Sequence, residues 1–171
     1  MSAVKPSPTR ITLLAKKREI KTALRGHRLL KDKQDGLMRE FLTRIREART
    51  LRTQLQETLQ QGFATYVSAA TLMSPQTIQR TFALHVPRAN IRVHERQVMS
   101  VGIPSFAVEE ATESHMTRPY GLLQTYGNID RSREILHGIL PLIVQLAAVE
   151  SAVTRLAEEI ERTRRRASAL E

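Results

Sequence analysis

The chain of 171 residues contains no cysteine and no tryptophan, and aromatic residues make up only 4% of it. Without cysteine there can be no disulfide scaffold, thiolate metal site or thiol nucleophile, and the composition fits a reducing compartment. Aromatic side chains usually dominate the buried area of compact cores, so a core here must be assembled from Leu, Ile, Val and Ala. Long apolar runs are also missing. The longest, residues 138–149, is interrupted by Pro141 and Gln145 and stops at Glu150, which reads as too short to span a bilayer. The opening MSAVKPSPTR has no apolar stretch of the signal-peptide kind. The expectation is a soluble, basic chain forming one elongated domain over residues 1–171.

What the sequence does have is positive charge. There are 27 Lys+Arg against 17 Asp+Glu, a formal net charge of +10. Residues 1–50 hold 14 basic and 5 acidic residues, a net of +9, while residues 51–171 hold 13 and 12. A basic segment of this kind favours an acidic partner: nucleic acid, an anionic membrane surface or an acidic protein wall. A solvated helix face is the plain alternative. Glu19, Asp32, Asp35, Glu40 and Glu47 are interspersed, so this is no disordered basic tail.

Apolar spacing predicts two long helices. From residue 10 to 72 there is no Pro, and Gly occurs only at 26, 36 and 62. Ser7 followed by Pro8 offers an N-cap and a first-turn proline. Alternating steps of four and three place Leu24, Met38, Phe41, Ile45, Leu55 and Leu59 on one seam over about 8–72, with polar residues clustered from His27 to Gln34. The same spacing in 129–171 gives Ile139, Leu142, Leu146, Val149, Val153, Leu156 and Ile160, with Thr163 the one polar break. Heptads sustained this long read as coiled coil, and Pro141 should kink the second helix or delay its start.

Between the helices, 73–128 forms a connector. Ser74-Pro75 ends the first helix, and Pro87, Pro104 and Pro119 exclude its continuation. β-branched residues in 91–103 predict a hairpin over about 89–107, though its turn lacks an Asn-Gly signal. Residues 108–128, with Gly121, Gly127 and Asn128, read as the link to the second helix. The fold class is mainly all-α: a long antiparallel two-helix coiled coil with a short β-hairpin at the bend.

Chemistry is hard to find. There is no Walker-type or dinucleotide-binding glycine pattern. The five His (27, 85, 94, 115 and 137) show no ligand spacing, and Glu109-Glu110 and Glu158-Glu159 read as solvated surface. A two-helix rod encloses no pocket. No catalytic residue, cofactor site or metal site is assigned. His27 reads first as a seam polar residue that limits alternative registers, and second as a contact to a surrounding partner. Gly26 and Gly36 each cost about 1 kcal/mol relative to Ala in a helix interior, which close approach of another backbone or local flexibility would offset.

Three ordered motifs carry a resemblance. Pro8-Thr9-Arg10 with LRGHRLLKDKQDGLMREF (24–41), then VHERQVMSVGIP (93–104), then EEIERTRRRASALE (158–171) resemble the signatures of the D-subunit family of V-type and archaeal-type rotary ATPases. The resemblance implies a non-catalytic central rotor axle standing in a ring of catalytic A and B subunits. It implies that the F subunit binds near the hairpin end and that the C subunit (d in eukaryotes) couples the axle to the membrane ring. The location implied is cytoplasmic and peripheral to the membrane, with no direct insertion, no nucleic acid and no cofactor. The pattern departs from the family at Gly36, where Glu is usual, and at Ser100, where Gly is common.

On that reading Arg18, Lys21, Arg25, Arg28, Lys31 and Lys33 are expected to contact the ring. Closing the hairpin with residue 72 near 128 makes facing residue numbers sum to about 200. Residues 10–28 then lack a partner although Leu13, Ile20 and Leu24 continue the seam. The expectation is either a C-terminally shortened chain or coverage of those turns by the ring. Two rival readings are a basic coiled-coil nucleic-acid-binding protein, which lacks aromatic interleaving before Phe41, and the central stalk of an export apparatus, which the β segment disfavours.

Overall fold

The computed structural model describes residues 9–83, 89–110 and 127–170. Three helices and one hairpin follow in the order α1 (Arg10–Ala70), α2 (Pro75–Ala83), β1 (Ala89–Val98), β2 (Val101–Glu110) and α3 (Gly127–Ser168). Pro87, Pro119, Gly121, His85 and His115 lie outside the described residues.

The start of α1 is fixed at Thr9, two residues beyond the Ser7 expected as its cap. Thr9 has extended backbone (φ −112°, ψ 153°), and its hydroxyl accepts from the Thr12 amide while Thr12 answers the Thr9 amide. That reciprocal box satisfies two orphan donors of the first turn. The helix then runs 61 residues, about 90 Å at 1.5 Å per residue. It stops where Ser74 and Pro75 begin a second helix. Pro75 takes the first helical position of α2 and the Ser74 hydroxyl accepts from the Thr77 amide at 3.3 Å. This short helix inside the connector was not expected.

α1 and α3 pair antiparallel. Gly62 lies against Ile135 and Leu136, Gly26 near Leu170, and Arg52 binds Glu150. Facing residue numbers sum to between 192 (Lys33 with Glu159) and 202 (Arg52 with Glu150), close to the expected 200. At the bend end, Ser132 is fully buried and its hydroxyl donates to the Gly62 carbonyl at 3.1 Å, while Asn128 donates to Ser68 at 2.9 Å. Pro141 sits inside α3 and the helix runs through it, so it does not delay the start.

Of the six α1 seam residues expected, Phe41, Ile45, Leu55 and Leu59 are half-buried and Leu24 and Met38 are exposed. His27, Gln34, Phe41, Ala48 and Leu55 are half-buried, and Gly62 is buried against Ile135 and Leu136 of α3. At 24, 31 and 38 the covered position is shifted by one residue towards the N-terminus. Leu37 is 0% exposed, whereas Met38 is 38% and Leu24 66% exposed. At about 100° per residue, both choices keep the heptad spacing, but only positions 23, 30 and 37 flank the 27–34–41 row on the side of α3. Ile45 and Leu59 remain half-buried. In α3, Ile139, Val149, Leu156 and Ile160 are buried and Leu142, Leu146 and Val153 half-buried. Thr163, the expected break, is buried too. α3 also holds an 18-residue window with mean hydropathy 1.6, long and apolar enough by composition to cross a membrane. A window average tolerates the Pro141 and Gln145 that divide the run.

The hairpin does not stay at the bend. Its strands pair in continuous antiparallel register from Ala89 with Glu110 to Val98 with Val101, three residues longer than expected. β2 lies along α3, and Val101 and Ile103 join Leu37, Ala152, Leu156 and Ile160 in a buried cluster. The tip therefore folds back to the middle of the rod. Aromatic residues gather where the section is wider: Tyr66 and Phe82 meet edge to face at 5.6 Å in the cluster of Ala69, Met73, Ile78 and Ile129 at the bend.

Candidate functional site

The surface with the strongest charge is the outer face of α1's first turns. Arg18, Lys21, Arg25 and Arg28 are all exposed. At about 100° per residue they fall within one quadrant, opposite the 27–34–41 row that packs on α3. Lys31 is exposed on a flank. Lys33 is the exception. Its ammonium lies 2.7 Å from Glu159 of α3, half-buried, so it ties the two helices together instead of standing outward. Hydrogen bonding and charge from Lys33 hold the Glu159 carboxyl below the usual carboxylate range, against a smaller opposing effect of burial.

The antiparallel pairing adds residues that the one-dimensional charge count missed. Facing numbers near 196 put Arg164, Arg165 and Arg166 of α3 beside residues 30–32 of α1. All three are exposed, and Arg165 pairs with Glu161 at 3.3 Å. The signal was present in the summed register but not in the segment totals, which gave residues 51–171 almost no net charge. Farther along, Glu40 and Glu47 flank Arg44 at 3.0 and 2.9 Å. Burial pulls the Arg44 pKa down, and these two carboxylates outweigh it and raise it.

Apolar side chains also remain open. Leu13, Ile20 and Leu24 are more than half exposed. Near the bend, Phe63, Tyr66, Ile78, Phe82 and Leu136 line an open apolar groove of about 760 Å³. On the hairpin, Ile91 and Val93 of β1 are exposed. Among the described residues no group of three His, Asp or Glu side chains is placed to hold a metal ion.

These features define an elongated helical-hairpin protein whose charged and apolar side chains are displayed outward along a rod. The chain belongs to the ATP synthase D-subunit family, whose family model matches residues 12–171. It is 39% identical over 167 residues to the V-type ATP synthase D subunit of Clostridium botulinum (strain ATCC 19397 / Type A), which covers 96% of this chain and 77% of that relative. It is 35% identical over 171 residues to the V-type ATP synthase D subunit of Thermoanaerobacter sp. (strain X514), covering 100% of this chain and 81% of the relative. The membership read from the three motifs holds over nearly the whole chain, and with it the assignment to a rotary ATPase.

Proposed function

We propose that this protein is the central shaft of a V-type rotary ATPase, a non-catalytic axle that couples nucleotide chemistry in a ring of A and B subunits to rotation of the membrane ring. The observation that carries this reading is a single unbroken helix of 61 residues paired antiparallel with one of 42 residues, in a member of the D-subunit family. A rod of about 90 Å is long enough to traverse a ring and protrude. Torque passes along it only if the helices cannot slide, which a buried Leu/Ile/Val seam opposes.

On this reading the basic quadrant of Arg18, Lys21, Arg25 and Arg28, with Lys31 beside it, faces acidic walls of the A/B ring. The F subunit docks near the hairpin end and the C subunit (d in eukaryotes) on the membrane-ring side, and the whole is cytoplasmic and peripheral to the membrane. Ile139 and Val149 of α3 are buried in the paired helices. Lys33, held by Glu159, is left out of the ring contact.

The test is made in the reconstituted complex. Replacing Arg18, Lys21, Arg25 and Arg28 together by Gln is expected to lower ATP-driven rotation several-fold, while circular dichroism of the isolated protein is unchanged. Unaltered rotation would remove the ring contact. Purification of the tagged protein without A, B and F would remove the shaft reading itself. A steep salt-dependent affinity for nucleic acid would point to the rival class.

A further inference from the structure

We propose that the hairpin tip is a register lock for the two long helices: α3 carries the hairpin, and Met99 at its tip seats in a socket that Gly36 opens on α1. The problem it answers is general. A regular heptad seam is nearly degenerate to a slip of seven residues, because each apolar side chain then meets an equivalent neighbour. Features that break the repeat mark one register, as Ser132 on the Gly62 carbonyl does at the bend, and the hairpin tip adds a mark in the middle of the rod.

The hairpin moves with α3. β2 packs along that helix, and the Arg155 guanidinium donates to the Gly102 carbonyl at 2.7 Å and to the Glu95 carboxylate at 3.2 Å. Glu95 can lie there because Gly102 has no side chain: a Cβ at that position would strike its carboxylate. The strap is thereby fastened to α3 from both strands.

The tip is then presented to α1. Met99 and Ser100 form a two-residue turn with φ of 48° and 72°, the double left-handed geometry of a type I′ hairpin. That turn aims Met99 at α1, where a Cβ on Gly36 would lie 2.8 Å from its sulfur and closer still to its methyl. Gly36 is buried although its outer neighbours on the helix are open, and Leu37 beside it is buried under Val101 and Ile103.

The socket marks one register because the heptad equivalents of Gly36 and Leu37 do not reproduce it. A slip in one direction brings Leu29 and Leu30 under the tip, and Leu29 fills the space that Met99 needs. A slip in the other brings Thr43 and Arg44, placing a guanidinium against the Val101–Ile103–Leu156 cluster, where an unpaired charge is strongly disfavoured. Lys33 reads the same register, since the second slip would set Glu40 against Glu159. The lock belongs to the chain alone and stands whether or not the shaft reading holds.

The lack of cysteine makes the test direct. Spin labels on Arg49→Cys in α1 and Glu158→Cys in α3, both exposed positions, report axial register in the full chain by pulsed dipolar resonance. With the tip intact a single narrow distance is expected. Gly36→Leu, which fills the socket, should add a population displaced by one heptad, about 10 Å of axial travel. Met99→Ala should do the same to a smaller degree, and both should speed amide exchange across residues 98–103 at least tenfold. An unshifted distance and unchanged exchange in both variants overturn the lock. If Gly36→Leu fails to fold, Met99→Ala decides alone, since it only shortens a half-exposed side chain: a displaced population supports the lock and an unshifted one overturns it.

Discussion

The first turns of α1 and its middle carry the same apolar heptads and meet opposite fates. Leu13 and Ile20 are exposed, while Phe41 and Leu55 on the same row are half-buried, Phe41 against the cluster under the hairpin tip. The spacing is equal in both regions, so periodicity alone does not decide burial. What differs is the presence of a second surface. An apolar stripe is a request for a partner, and α3 and β2 answer it in the middle of α1.

The sharpest way to break that comparison is to truncate one side chain in each region. Leu156→Ala removes a residue that is 0% exposed in the cluster under the hairpin and should cost about 2–5 kcal/mol, with a matching fall in denaturant midpoint. Leu24→Ala in the isolated chain should stay within about 0.5 kcal/mol. Equal losses would mean that Leu24 has a partner in solution. Next in size, Gly62→Leu drives a side chain into Ile135 and Leu136, whose atoms lie 3.2–3.3 Å from where even a Cβ would stand. Overpacking of about 1–3 kcal/mol is expected, again by denaturant titration, whereas Gly26→Ala should be tolerated because Leu170 is 3.5 Å away.

A smaller effect distinguishes Lys33 from its exposed neighbours. Lys33→Gln should lower stability by about 0.5–1 kcal/mol at neutral pH, and the same change at Lys31 should do almost nothing. The sign with pH follows from Glu159, whose carboxyl pKa is depressed in the folded chain. Its contribution is present above the unfolded carboxylate pKa of about 4.3 and is lost as pH falls through the lower folded value. Melting curves of the parent and Lys33→Gln proteins should therefore converge on acidification below about pH 4. The smallest effect is a gain. Ser100 holds φ 72°, a conformation costly for a side chain, so Ser100→Gly should stabilise the hairpin by about 0.5 kcal/mol. Slower amide exchange in β1 and β2 would register it.

Much of the fold was legible in one dimension because its signals are local. Proline at 75 and 104, glycine at only three positions between 10 and 72, and apolar steps of four and three are properties of neighbours along the chain. The same Ser74-Pro75 pair that ended α1 also began α2, and reading it only as a stop hid the second helix. The α1 seam was half legible. A heptad row can be flanked by residues one step to either side, and the side that wins depends on where α3 lies. The candidate site divides in the same way. Exposure of Arg18, Lys21, Arg25 and Arg28 follows from their place opposite the seam, but the loss of Lys33 to Glu159 and the arrival of Arg164, Arg165 and Arg166 needed the paired register.

By itself the sequence determined two long helices, a hairpin between them, an antiparallel register near 200, and membership in the D-subunit family, because helix periodicity and motif order are read from adjacent residues. Only the tertiary structure decided that the hairpin folds back from the bend onto the middle of the rod, and that Gly36 is a socket for Met99. Those outcomes depend on contacts between residues more than fifty positions apart, where the shape left empty by one side chain is matched to the shape supplied by another.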